Sequence, residues 1–285
     1  MRVLDSHLHL WDPAILTYDW LDDSLRRRFG PEDLMRAVGG APDSDERGFV
    51  FVQAECAPEE SVAEVDWVAS LAAAAGVRAI VARAPIEEGE AVADMLERLR
   101  ARDLVAGIRR NLQDEPIGFA RQDRFVEGAR HVARAGLAFD ACVRPAQLPD
   151  VAALADAVPE LTIVLDHLGK PVVRSPAKPV LPGATTWDEE LRRLAARPNV
   201  VCKLSGLPAE SSGEWTAEQL RPFLDSALEW FGPDRLLFGS DWPVSVQGDY
   251  PRWTEFMTTW LSSRLDPVGV DAVLWRNAAR VYRVA

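Results

Sequence analysis

The chain has 285 residues, 48% of them hydrophobic and 27% charged, a balance that supports a packed core and excludes disorder for most of its length. Thirty-two basic against forty-four acidic residues give a formal net charge of −12, which argues against nonspecific binding to nucleic acid or anionic membranes. No segment reaches the roughly 18 uncharged apolar residues that span a bilayer, and the length fits either two ordinary domains or one large barrel of roughly 250 residues.

The first β-rich run covers residues 3–9, and Asp5 arrives before any apolar signal region can develop. A strand at 48–54 follows, with the continuous apolar run Phe49-Val50-Phe51-Val52. A helix is expected over 59–75, where Val62, Val65, Val68, Ala69 and Ala72 recur at three- and four-residue steps and share one face. Strands at 77–83 and 104–109 flank a helix at 87–102, and a helix at 123–135 leads to a strand at 137–143. The next strand, 161–166, is again nearly all apolar. A segment at 170–186 with Pro171, Pro176, Pro179 and Pro182 reads as a long loop and pocket wall. Strands at 199–205 and 235–241 close the series around a helix at 214–231. Gly76, Gly136 and Gly232 follow helical runs, as C-terminal caps do, and Pro58, Pro149 and Pro222 are expected near helix starts. Strands that are apolar on both faces suit a parallel sheet covered by helices. Several of the runs are of this kind, and eight strands alternating with helices predict an α/β fold, a single (β/α)8 TIM barrel over residues 1–285. An open doubly wound sheet is the weaker alternative, because no GxGxxG follows the first strand.

Polar residues then gather at strand C-terminal ends, where barrels build their sites. His7 and His9 are two apart in an extended segment, so both imidazoles face one side and can converge on a divalent metal. His167 follows the sixth strand and Asp241 ends the eighth; the fourth histidine, His131, sits among arginines on a helix and reads as a surface residue. Asp241 can take a proton from water, while His167 can bind metal, hydrogen-bond a carbonyl or shuttle a proton. Gln53 and Glu55 end the second strand within reach of the same face, or pack a loop. Trp11 and Trp242 can stack on a sugar ring or pack against rim loops. Cys56, Cys142 and Cys202 are odd in number and lack CxxC spacing; they read as free thiols in a reducing compartment, hence a cytoplasmic protein.

Longer stretches carry a resemblance. They are Asp5-Ser6-His7-Leu8-His9-Leu10-Trp11-Asp12-Pro13, Gly107-Ile108-Arg109, Gln147-Leu148-Pro149 and Leu165-Asp166-His167-Leu168-Gly169-Lys170-Pro171. The series continues through residues 199–207 and 231–243, which contain Cys202-Lys203-Leu204-Ser205-Gly206-Leu207 and Gly239-Ser240-Asp241-Trp242-Pro243. Together they resemble the amidohydrolase superfamily, and within it a sugar-lactonase-like branch. The resemblance implies an amidohydrolase-like barrel, regular or distorted, that opens a sugar lactone or related acid lactone during carbohydrate or aromatic-acid catabolism. It assigns His7, His9, His167 and Asp241 as metal ligands, with Asp241 and His167 catalytic and Arg109 and Lys203 on the substrate. An ion pair beneath the rim is the other reading of those two cations. No bridging lysine or glutamate ends the fourth strand, and the fifth lacks a histidine, so one divalent ion (zinc or manganese) or none is implied rather than two. Arg110 stands where such lactonases often carry histidine, which bears on selectivity at the carbonyl end. A metal-dependent nonoxidative decarboxylase and a noncatalytic small-molecule-binding barrel are the alternatives.

Overall fold

The computed structural model describes residues 1–39, 46–173, 185–211, 214–246 and 249–285. Strands β1 (Arg2–Leu8), β2 (Glu46–Val52), β3 (Val77–Arg83), β4 (Val105–Arg109), β5 (Ala138–Ala141), β6 (Ile163–Leu165), β7 (Val200–Leu204) and β8 (Leu236–Phe238) form one sheet in chain order. Every neighbouring pair is parallel. The sheet returns on itself at a Leu8–Trp242 bridge, where the His9 and Asp241 N–H groups donate to the Trp242 and His7 carbonyls, each at 2.8 Å. The seam lies just past the regular strands, and β1 changes register between Asp5 and Leu8. The result is the expected (β/α)8 TIM barrel, distorted where β1 meets β8.

Helices α1 (Pro31–Val38), α2 (Ser61–Ala75), α3 (Ala93–Arg100), α4 (Asp123–Arg134), α5 (Leu148–Ala157), α6 (Thr185–Ala195), α7 (Ala217–Phe231) and α8 (Tyr250–Ser262) alternate with the strands. The helix expected over 87–102 is divided: a 3-10 segment, Ile86–Val92, bends at Gly89 before α3 begins. α7 starts later than expected because Thr216 caps it, exchanging bonds with Gln219 in a capping box. Even with this later start Pro222 lies inside α7 rather than in its first turn, whereas Pro149 does sit in the first turn of α5. Three prolines of the expected 170–186 loop, Pro176, Pro179 and Pro182, lie outside the described residues.

Period-two alternation stacks the barrel interior in layers. Ala138, Val164, Val201 and Leu237 belong to an apolar cluster that also holds Leu4, Val50 and Val81. Two residues on, Asp140, Asp166 and Lys203 occupy the next level, all fully buried. From below, α9 (Pro267–Asp271), a π-turn at Ala272–Arg276 and α10 (Asn277–Tyr282) plug the barrel with Trp275, Ala278 and Tyr282. A large apolar side chain buried there contributes roughly 1.5–3 kcal/mol. The plug also delivers the Tyr282 hydroxyl to Asp140, at 2.9 and 3.0 Å from its two oxygens.

Candidate active site

A cavity of about 230 Å³ opens at the C-terminal ends of the strands. His9, His167 and Asp241 reach it from three strands, with Arg109 and Cys142 beside them. The Nε2 atoms of His7 and His9 lie 3.1 Å apart. Asp241 Oδ1 stands 3.5 Å from His7 Nε2, 3.3 Å from His9 Nε2 and 3.9 Å from His167 Nε2. His9 is oriented by its Nδ1, which donates to the Val52 carbonyl at 2.8 Å. His167 is oriented by Ser205, whose Oγ lies 2.9 Å from its Nδ1. Six non-glycine residues with positive φ are described, and four of them, Glu55, His167, Lys170 and Asp241, line this cavity. Backbone strain of this kind persists only where the surrounding structure imposes it, and it concentrates at functional sites.

Burial decides the protonation of the imidazoles. It lowers His167 to about 4, although Asp241 and Asp166 pull the other way. Burial also holds His7 well below the ordinary range, with the Lys203 ammonium adding to the effect. For Asp241 burial favours the neutral acid, but His167, His9 and His7 outweigh it and keep the carboxyl far below the usual carboxylate range. Near neutral pH His7 and His167 are thus neutral imidazoles beside an ionised Asp241 carboxylate.

The remaining expected site residues divide. Arg109 lines the cavity; its Nη2 donates to the Gln53 carbonyl at 2.5 Å, its Nη1 lies 3.6 Å from Asp166, and its buried Nε–H has no partner among the described residues. Lys203 does not reach the cavity. It is buried one layer down, 2.5 Å from Asp140 Oδ2 and 3.0 Å from Asp166 Oδ1, the ion pair beneath the rim. Gln53 is also buried and bonds Glu55, which takes its place on the cavity wall. Trp11 and Trp242 are packed within the rim loops rather than offered for stacking. Trp11 donates to the Leu25 and Arg27 carbonyls, and both tryptophans meet Phe29 edge-on. Arg110 turns away from the cavity into ion pairs with Glu87 and Glu115, so it has no direct access to a bound carbonyl.

Several residues on the wall had no assigned role. Trp20, 41% exposed, forms one side and is fixed by donating to the Ala54 carbonyl at 2.7 Å. Asn111, Gln113 and Asp114 come from the loop after β4, and Val244 from the loop after β8. Gln113 accepts a 2.6 Å bond from Lys170. Loop residues such as these follow no period, so spacing alone does not reveal them. Asp140 did leave a signal: an acid inside the apolar run Ala138-Phe139-Asp140-Ala141 cannot face the helices and must find a partner in the barrel.

Behind the Trp20–Ala54 wall, α2 buries Glu64, whose Oε1 accepts from the Ala54 N–H at 3.0 Å while Oε2 has no partner among the described residues. Burial raises this carboxyl to about 7 from an ordinary 4.5, against the opposing pull of the Ala54 N–H and Arg109. A raised acid contributes stability that is present below about pH 4.5 and lost as pH rises through about 7, on the order of 3 kcal/mol in full. Glu64→Gln should therefore gain melting temperature relative to the parent when pH goes from 5 to 8. Parallel melting curves at the two pH values check this, and an unchanged difference would refute it.

The amidohydrolase sequence profile matches residues 4–284. The chain belongs to the amidohydrolase family. Among this amidohydrolase's relatives is an L-fucono-1,5-lactonase of Burkholderia ambifaria, 34% identical over 99% of this chain and 95% of that protein. An L-rhamnono-gamma-lactonase of Scheffersomyces stipitis is 23% identical over 99% of each chain. The crystal structure of a Burkholderia multivorans amidohydrolase with bound zinc superposes with a TM-score of 0.85 at 31% identity, covering 100% of both chains.

The donor set here fits one divalent ion. Ligands about 2.1 Å from a tetrahedral ion stand about 3.4 Å from each other, close to the 3.1, 3.3 and 3.5 Å separations among His7, His9 and Asp241. His9, with its Nδ1 proton engaged by Val52, presents an Nε2 lone pair. The fifth strand runs into Cys142, whose thiol is pushed up to about 11 by burial.

Proposed function

We propose that this amidohydrolase opens the ring of a neutral sugar lactone by adding water to the ester carbonyl, as part of carbohydrate breakdown, with residues 1–285 acting as one catalytic domain. The observation that carries the reading is the convergence of three imidazoles and an ionised carboxylate beside an arginine with a free N–H. Asp241 accepts a hydrogen bond from the attacking water and receives its proton. A carboxylate held so far below its usual range keeps that proton only briefly. His167, neutral and 3.9 Å away, is the more basic neighbour and passes it to the departing ring oxygen. The unpartnered Nε–H of Arg109 donates to the carbonyl oxygen as negative charge develops there. When bound at His7, His9 and Asp241, a divalent ion supplies Lewis acidity. The products balance: water and the lactone give one hydroxy acid.

Charge on the wall supports a neutral ring rather than a dicarboxylate. Arg109 faces Asp166, and Lys170 is engaged by Gln113 with Glu210 at 3.9 Å. Glu55 and Asp114 add two carboxylates that can accept from sugar hydroxyls. Trp20 supplies the apolar face on which a pyranose or furanose ring can rest. The cytoplasm is the compartment we propose, supported by three free, buried cysteines.

A pH-indicator screen over aldonolactones and dicarboxylate lactones tests the reading. Acid release from neutral sugar lactones is expected, with Trp20→Ala raising KM about tenfold and changing kcat little. Carbon dioxide release from aromatic acids without lactone opening would favour a decarboxylase, and tight sugar-acid binding without turnover would favour a binding protein.

A further inference from the structure

His7 has two neighbours at its inner nitrogen that demand opposite things of it. Lys203 Nζ, a donor only, lies 3.1 Å from His7 Nδ1 in hydrogen-bonding geometry. Asp166 Oδ1, an acceptor only, lies 3.2 Å from the same atom. Both Asp166 oxygens are nevertheless buried without a directed hydrogen bond. The aligned partner is therefore the lysine. With Nδ1 accepting from Lys203, a neutral His7 must carry its proton on Nε2. There it points at the lone pair of His9 Nε2, 3.1 Å away, and at Asp241 Oδ1, 3.5 Å away. In that tautomer the three groups hold together without any ion.

A metal needs the reverse. His7 can ligate through Nε2 only if the proton moves to Nδ1, where Asp166 would accept it in a carboxylate–histidine–metal arrangement. The Lys203 ammonium would then face an N–H instead of a lone pair and would repel the incoming cation. It cannot swing aside, because it is fully buried between Asp140 and Asp166. Asp140 is in turn held by the Tyr282 hydroxyl from the barrel plug.

We infer that Lys203 is a positioning residue that fixes the Nε2–H tautomer of His7 and thereby weakens divalent-metal binding at the His7–His9–Asp241 site. It acts as an internal cation in the space beneath that site, competing with the metal rather than touching substrate. The inference does not depend on which ester the enzyme opens.

Two measurements test it. Nitrogen-15 NMR of histidine-labelled, chelator-treated protein reads the tautomer directly, and four histidines are few enough to assign by single replacement. The expected signature is Nε2–H for His7 in the metal-free protein, switching to Nδ1–H on adding zinc. Zinc affinity is then measured by competition with a chromophoric chelator at one pH. Lys203→Met/Asp140→Asn, which removes the cation and its partner charge together, should bind zinc at least about tenfold more tightly than the parent. Asp140→Asn alone, which keeps the lysine, should bind no more tightly. An Nδ1–H tautomer in the metal-free parent, equal affinities for the parent and the folded double variant, or tighter binding by Asp140→Asn would each overturn the inference. If the variants do not fold, the tautomer of the parent protein still decides it.

Discussion

Asp241→Asn is expected to lower kcat on the order of 10³-fold while leaving the melting curve close to that of the parent. The side chain is nearly isosteric, and its Oδ2 already accepts from the Ser245 hydroxyl at 2.5 Å, a role the amide oxygen can take over. The ability to receive a proton from water disappears, and so does the charge that the three imidazoles surround. An asparagine also offers one oxygen where the carboxylate offered two, so orientation of the water suffers with basicity. Steady-state kinetics and a thermal melt on the same preparation distinguish the outcomes. A folded variant with parental kcat would remove Asp241 from the chemistry and leave Arg109 and His167 to carry it.

Replacing Gly206 by alanine should be nearly as damaging, from a position with no chemistry of its own. Gly206 sits at φ +73°, and a Cβ there would fall 2.4 Å from His167 Nδ1 and 2.5 Å from its Cγ. No real Cβ tolerates such a distance, so the imidazole must move. His167 has little freedom to do so: its own φ is +53°, Leu168 follows at +54°, and Ser205 holds Nδ1. Left-handed backbone for alanine costs about 1–2 kcal/mol, which should appear as a lower melting temperature. The displaced ring should cost about a hundredfold in kcat, as a shift of about an ångström does elsewhere. Binding of substrate through Trp20 and Arg109 should survive, so KM should change much less than kcat. Parental kcat in Gly206→Ala would mean that the ring position is not set by this contact.

Some of this was readable without coordinates. Continuous apolar runs such as Phe49-Val50-Phe51-Val52 can only be buried on both faces, and eight strands, several of them of this kind, alternating with helices leave few topologies besides a closed barrel. Because such barrels place their sites at strand C-terminal ends, His7, His9, His167 and Asp241 could be picked out, the family resemblance added Arg109, and the structure brings all five to one place. Helix boundaries depended on caps and turns, which is why the capping box at Thr216 displaced one start and Gly89 divided one helix.

The overall charge of −12 belongs to the surface and said nothing of the interior. What the amino-acid sequence determined by itself was periodicity: which residues are strand, which are helix, and which polar groups lie at strand ends. Tertiary structure alone decided depth and direction. Lys203 and Arg109 look equivalent as cations on strand motifs, yet one lies in the charged layer under the floor and the other reaches the cavity. Trp11, Trp20 and Trp242 are one residue type, and only the loop path after β1 exposes Trp20 to a ligand. The physical reason is that a strand's period fixes which face a side chain takes, whereas its level in the barrel and the contacts it meets come from chain segments far away. Among those are the C-terminal plug that brings Tyr282 to Asp140 and the seam that sets Asp241 against His7 and His9.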